Sequence, residues 1–403
     1  MSDFFQNGVV ATFHRLKCRE KDTLEYDLLE FASNKNITLV LPSLYTEIHG
    51  EGLKKIIEEL QPVKYLRDIV VTLGPADKSQ FLEIKKFFSR LPQKVNIIWN
   101  SGPRVQALYD ELIEHDLNPG PDGKGRSTWM AYGYILSKRE AHVIALHDCD
   151  IITYSRDMLD WLIYPVASDK LDYEFCKGYY SRITNKLHGR VTRLFVTPLL
   201  RSLMKVAGEI DILVYFNSFR YILAGEFSMT TELARINRIP ADWGLEVGVL
   251  AEIYRNCSVQ RICQAELCDN YEHKHQELSA EDKTKGLNKM AIDIAKSVFR
   301  TLASEGVVYN YGFFNSLRTA YQRVAEDLIT QYRGDAMING LEYDKHEEEV
   351  ALCVFSQAIK TAAEIILDDP LGPPMIPNWT RVFSAIPDFG HRLLEAVKLD
   401  NEV

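Results

Sequence analysis

From residue 36 to residue 150 the chain alternates short apolar or β-branched runs with amphipathic stretches of helical period, and no other feature narrows its fold so far. NITLVLPSL reads as a buried strand running into a proline turn, and EGLKKIIEELQP as a helix with apolar residues at three-to-four spacing. LRDIVVTLG is a second strand, ended by Gly74-Pro75, and KSQFLEIKKFFSRL a second helix. VNIIWN, STWMAYGYILSKR and HVIALHDCD continue as strand, helix and strand. A β-α-β-α-β-α-β order predicts a mostly parallel sheet flanked by helices, with ligands bound outside the carboxyl ends of its strands.

Beyond residue 150 the pattern changes. Residues 151–280 are mixed and punctuated by glycine, in FCKGYYSR, LHGRVTRLFVTPLL, YILAGEFSMT and ADWGLEVGVL, as expected where backbone approaches a ligand. After about residue 280 three long stretches of helical period follow, then a proline-rich break at 370–377 and a last aromatic segment. These predict a C-terminal helical appendage able to pack on the body of the protein or to form a dimer interface.

Charge and cysteine usage exclude several classes. A net charge of −9 without long Lys/Arg clusters argues against a nucleic-acid binder and leaves anion binding to local sites. Seven cysteines, at 18, 149, 176, 257, 263, 268 and 353, form no CxxC pair and no disulfide framework, which fits a reducing, cytoplasmic setting. The first residues lack the features of a secretory signal, and the continuous apolar runs fall short of the roughly 20 residues of a membrane-crossing helix, so no membrane partner is expected.

Asp148-Cys149-Asp150 directly follows the apolar strand HVIAL. At a strand end both carboxylates can approach one polar centre, and hard divalent cations favour one or two carboxylates plus substrate phosphates. Alone, such a tripeptide also reads as a solvated turn or a helix cap. Upstream, Asp122-Gly-Lys-Gly125 offers Lys124 to a phosphate or carboxylate, or serves as a glycine turn before a helix; it lacks the spacing of a P-loop. Glu272-His273-Lys274-His275 supplies imidazoles that could complete a metal site begun by Asp150, or remain loop histidines. Arg190 and Thr192, after Gly189, can hold an anion or simply start a helix. Glu226 and Glu246 lie among apolar residues, where a carboxylate must be paired or used.

Taken in order, LPSL, PDGKGRSTW, HDCD, GRVTRLFVTPLL, LAGEF, WGLEVGVL and EHKHQEL resemble the glucosyl-3-phosphoglycerate synthases and the related mannosyl-3-phosphoglycerate synthases over roughly residues 36–300. The resemblance implies a GT-A fold (α/β, Rossmann-like) and a retaining transfer of glucose from a nucleotide sugar, UDP-glucose or a GDP-linked sugar, to the 2-hydroxyl of 3-phosphoglycerate. It implies that Asp150 and His273 ligate Mg2+ or Mn2+, that Asp148, Cys149 and Lys124 lie at the donor, and that Pro42, Ser43 and Leu44 contact its base. Gly189, Arg190, Thr192 and His275 fall at the acceptor, and Lys124 and Glu246 take the catalytic roles. It further implies compatible-solute synthesis, and a homodimer is the expected assembly. The corresponding divisions are an N-terminal segment 1–35, a nucleotide-sugar-binding half 36–150, an acceptor-binding half 151–280 and the helical region 281–403. The chain departs from the family pattern at Thr46, where an acid is usual, at Cys149 within the DxD, at His275 in place of Asn, and at Arg126, where an acid is usual and a cation adds positive charge near the site. The alternatives are a mannosyl transferase using GDP-mannose, a nucleotidyltransferase, and a non-catalytic nucleotide-binding module.

Overall fold

The structure is a computed structural model that describes residues 5–16, 21–240, 244–273, 278, 282 and 285–402. Its centre is an eight-stranded sheet of β1 (Ala11–Phe13), β2 (Ile37–Ser43), β3 (Leu66–Leu73), β4 (Val95–Trp99), β5 (Val143–Leu146), β6 (Phe175–Tyr180), β7 (Phe227–Thr230) and β8 (Ile262–Cys268). The spatial order is β1-β8-β6-β7-β5-β2-β3-β4. Every pairing is parallel except those of β7, which runs antiparallel to both β5 and β6. The chain runs outward through β2, β3 and β4 and then places β5 on the other side of β2. The crevice outside the carboxyl ends of β2 and β5 is therefore the topological switch point where such sheets bind ligands.

Local sequence explains these elements. The apolar run of β2 is buried along almost its whole length because helices cover both sheet faces. Leu53, Ile56, Ile57 and Leu60 form the buried stripe of helix Glu51–Leu60. Helix Lys78–Phe88 starts at a capping box, in which Asp77 accepts from the Gln80 backbone and the Gln80 side chain accepts from the Asp77 backbone. One further helix, Pro103–Glu114, lies in the β4–β5 crossover. Its proline in the first turn and its buried Val105, Leu108, Tyr109 and Leu112 are ordinary helix signals.

The terminal regions are built into this body. β1 extends the sheet edge beside β8, and the helix Lys21–Ala32 packs on helix Arg156–Ala167. One apolar core runs from Val10 through Trp129 and Leu250 to Val397, and a second fills the other sheet face from Leu28 to Tyr271. The helices Tyr311–Ile338 and Lys345–Asp368 pack together against the segment 192–207, and Gly286–Ser304 packs on Lys345–Asp368 and on helix Leu245–Asn256. Lys345–Asp368 is long and apolar enough to cross a membrane, and here its Ala351, Leu352, Phe355, Ile359 and Ala362 are buried in the bundle.

The last helix, Phe389–Glu402, returns to the opposite edge of the sheet. There Asn401 accepts from the Ile97 amide at 3.0 Å and donates to its carbonyl at 2.7 Å, so a side-chain amide pairs the free edge of β4. Trp379 stacks on Trp129 with centroids 4.2 Å apart. Trp129 Nε1 donates to the Pro377 carbonyl at 2.7 Å, and Trp379 Nε1 donates to the Trp129 carbonyl at 2.9 Å.

His147, just past β5, is fully buried, meets Tyr154 edge-on, and has no hydrogen-bond partner for either ring nitrogen among the described residues. Burial pushes its pKa from 6.5 down to about 3. Below pH 6.5 the unfolded chain takes up a proton here that the folded protein refuses until about pH 3, so stability is lost as pH falls through that window. The stability difference between pH 7 and pH 5, read from urea melts, is expected to shrink in His147→Leu. An unchanged difference would show that His147 does not drive acid unfolding.

Candidate active site

The switch-point crevice opens into a cleft of about 1060 Å³. Asp148, Cys149 and Asp150 form its floor where β5 ends, and two glycines make room for them. A Cβ on Gly225 would fall 2.4 Å from Asp148 Oδ2, and one on Gly52 would fall 2.7 Å from the Asp150 carbonyl carbon. Cys149 is different in kind: its side chain is buried in the second core, and burial pushes its thiol up, so it behaves as a small apolar group.

Lys124 opens helix Lys124–Lys138 and reaches Asp148 Oδ1 at 2.7 Å and Glu246 Oε1 at 3.6 Å. Burial opposes its charge, but the two carboxylates outweigh that and raise its pKa above the ordinary lysine value. Glu246 lies in the first turn of helix Leu245–Asn256. Asp150 Oδ2 and His273 Nδ1 approach to 3.6 Å. Burial works against ionisation of Asp150, but His273 and Lys124 prevail and hold its carboxyl below the usual value. These five side chains come from segments up to 149 residues apart and line one cleft.

Beneath them is a polar floor around Glu226, the carboxylate expected to be paired or used, whose partners the sequence did not name. Tyr180 and Tyr271 stack at 3.8 Å, and each donates a 2.7 Å hydrogen bond to one oxygen of the fully buried Glu226. Burial and nearby Asp148 raise the Glu226 pKa against the pull of those two hydroxyls. Lys177, buried in β6, donates to the Ala224 carbonyl at 2.6 Å, and burial pushes its pKa down to about 8. The visible signal was a lysine inside the otherwise apolar strand FCKGYY.

Pro42, Ser43 and Leu44 line one wall with Thr72, Gly74 and Pro75. Thr46 is exposed and outside the lining, while its neighbour Glu47 lines the cleft, so an acid is supplied one position later. The added charge expected from Arg126 is offset: the residue does not itself line the cleft, lies over the Tyr109 ring, and pairs at 2.7 Å with Asp122, a carboxylate that does line it.

Gly189, Arg190 and Thr192 line the other end. Gly189 takes φ +69°, a turn that suits glycine, and the Thr192 hydroxyl is buried with no hydrogen-bond partner among the described residues. Arg190 is engaged by Glu347 at 3.0 Å and Glu348 at 3.1 Å. His275 lies outside the described residues.

The donor set suits a divalent cation of the Mg2+ or Mn2+ type: a carboxylate and an imidazole face each other at the cleft, with space for phosphate oxygens and water to complete the coordination. Among the described residues no group of three or more His, Cys, Asp or Glu forms a closed cage, so the pair leaves the other positions to substrate and solvent.

A mostly parallel sheet with a DxD, a lysine and a histidine at its switch point defines a GT-A glycosyltransferase. No family model matches the chain. It is 48% identical over 401 residues to the glucosyl-3-phosphoglycerate synthase of Persephonella marina, a match covering 100% of this chain and 99% of that protein. It is 39% identical over 403 residues to the enzyme of the same name from Methanococcoides burtonii, covering 99% and 98%. The crystal structure of glucosyl-3-phosphoglycerate synthase from Mycobacterium tuberculosis with Mn2+, UDP-glucose and phosphoglyceric acid shares the fold, with TM-score 0.52 and 20% identity over 75% of this chain and 89% of that one. Its complex with Mg2+ and UDP gives TM-score 0.51. The chain belongs to the glucosyl-3-phosphoglycerate synthase family.

Proposed function

We propose that the protein transfers glucose from UDP-glucose to the 2-hydroxyl of 3-phosphoglycerate with retention of configuration. The observation that carries this reading is the convergence of Lys124, Asp148, Asp150, Glu246 and His273 on one cleft whose other end holds Gly189, Arg190 and Thr192. Asp150 and His273 would hold a divalent cation, which when bound supplies charge neutralisation at the donor diphosphate. Lys124 faces the same leaving group with a fixed positive charge, and the carboxylates of Asp148 and Glu246 orient its ammonium. Asp148 and Glu246 also offer acceptors to ribose and sugar hydroxyls. Pro42, Ser43 and Leu44 form the wall for the base, and Arg190 and the unpaired Thr192 hydroxyl bind the acceptor phosphate. A cytoplasmic homodimer completes the reading; sedimentation velocity tests the assembly.

The direct test is turnover of purified protein with UDP-glucose, GDP-glucose or GDP-mannose against 3-phosphoglycerate, with Mn2+ or Mg2+ and after chelation. Formation of α-glucosyl-3-phosphoglycerate from UDP-glucose, lost on chelation, is the expected result. Preference for GDP-mannose would reassign the donor, and no product in folded protein would leave a binding module. Lys124→Met should lower kcat/KM by about 10²-fold, since the charged donor goes and two carboxylates are left facing the diphosphate. A loss below about threefold would remove Lys124 from the mechanism.

A further inference from the structure

The acceptor end of the cleft carries a carboxylate that no motif supplies. Arg190 is gripped on two edges: Nε meets Glu348 Oε1 at 3.1 Å, and the terminal Nη2 meets Glu347 Oε2 at 3.0 Å. The two partners differ. Glu348 is buried, also binds Arg193 Nη1 at 2.8 Å, and does not line the cleft. It fixes the arginine stem. Glu347 lines the cleft and its side chain is 59% exposed, so it has room to leave.

The remaining acidic residues of the lining belong to the donor end. Asp148 and Glu246 meet Lys124, Asp150 meets His273, Asp122 meets Arg126, and Glu47 follows the Pro42–Leu44 wall. At the acceptor end Arg182, Lys186, Arg190 and Lys289 are cations, and Glu347 reaches in from helix Lys345–Asp368. A carboxylate on the cleft-facing guanidinium edge occupies the position that an incoming phosphate or carboxylate oxygen would take.

We infer that Glu347 is a specificity-determining residue for the acceptor, an internal anion that a multiply charged acceptor must displace from Arg190. This rests on the proposed transfer to 3-phosphoglycerate. Displacing a half-exposed ion pair costs little, so Glu347 tunes acceptor affinity and does not block it. Neutral or weakly charged hydroxy compounds gain no ion pair in exchange for it and compete for this end of the cleft less well than a multiply charged acceptor. The helical region thus takes part in acceptor selection.

The experiment compares Glu347→Gln with Glu349→Gln, which removes the same charge from the same helix turn, where Glu349 pairs with Lys345 and not with Arg190. Glu347→Gln should lower the KM for 3-phosphoglycerate by about three- to tenfold, with kcat and the UDP-glucose KM held and the gain shrinking at high salt. Glu349→Gln should leave all three constants in place. Calorimetric titration with 3-phosphoglycerate, without donor, should show the same tightening. An unchanged or raised acceptor KM in Glu347→Gln, or an equal shift in Glu349→Gln, overturns the inference while leaving the reaction intact. Wild-type protein that neither binds nor glucosylates 3-phosphoglycerate overturns the reaction itself and this inference with it.

Discussion

Asp150→Ala is expected to lower kcat/KM for glucose transfer by on the order of 10³-fold or more, since Lewis-acid stabilisation of a leaving group is worth several kcal/mol and each tenfold in rate is about 1.4 kcal/mol. The carboxylate and the His273 imidazole are 3.6 Å apart and are the facing pair of metal-binding type at the cleft. Removing one leaves a lone imidazole, too little to hold a hard cation beside a diphosphate. Binding of Mn2+ in the presence of UDP, measured by calorimetry, should weaken in parallel. The fold should persist, because the side chain is partly exposed and the Gly52 contact is made to the Asp150 backbone. Asp150→Asn keeps the shape but not the charge and should lose nearly as much. His273→Ala should resemble it, and the double variant should lose little more than either single one, as groups serving one centre are not additive. Retention of more than about a tenth of the activity in Asp150→Ala would place the metal site elsewhere.

The strand–helix alternation of residues 36–150 was legible because each element carries its own period: β2 and β3 are apolar runs buried on both faces, and helix Glu51–Leu60 repeats its apolar residues every three or four positions. The helix Pro103–Glu114 carried the same signal and was passed over. What periodicity does not encode is pairing at a distance. That β7 inserts antiparallel between β5 and β6, or that β1 joins β8, depends on neighbours 50 to 252 residues away. Asp148 and Asp150 were visible from their place after a strand. Arg126 was misjudged because the residue type was visible and its partner Asp122 was not weighed against it. Glu347 could not be read at all, since its meaning comes from a contact 157 residues back along the chain. The C-terminal helices showed their period clearly, yet nothing in it disclosed that Trp379 returns to Trp129, and Asn401 to β4.

That return makes Trp379→Ala the substitution with the largest expected effect on stability, about 3–5 kcal/mol by analogy with other buried aromatic-to-alanine changes. Trp379 is fully buried, and Gly133 is cut away to admit it: a Cβ there would fall 2.1 Å from the indole. Alanine empties that space, leaves the Trp129 carbonyl without its indole donor, and removes one side of the stack. In a chain of this size the loss corresponds to a fall in Tm of roughly 4–6 °C, measurable by calorimetry. Trp379→Phe keeps part of the stack and should fall less. The consequence reaches the chemistry, because Trp129 and Gly133 lie on the helix whose first residue is Lys124. Were residues 281–403 an independent appendage, Trp379→Ala would melt the C-terminal helices alone, in a separate early transition, and the sheet would unfold at its original temperature. A single transition shifted as a whole is the expected outcome, since one apolar core joins Trp129 to Trp379 and Val397.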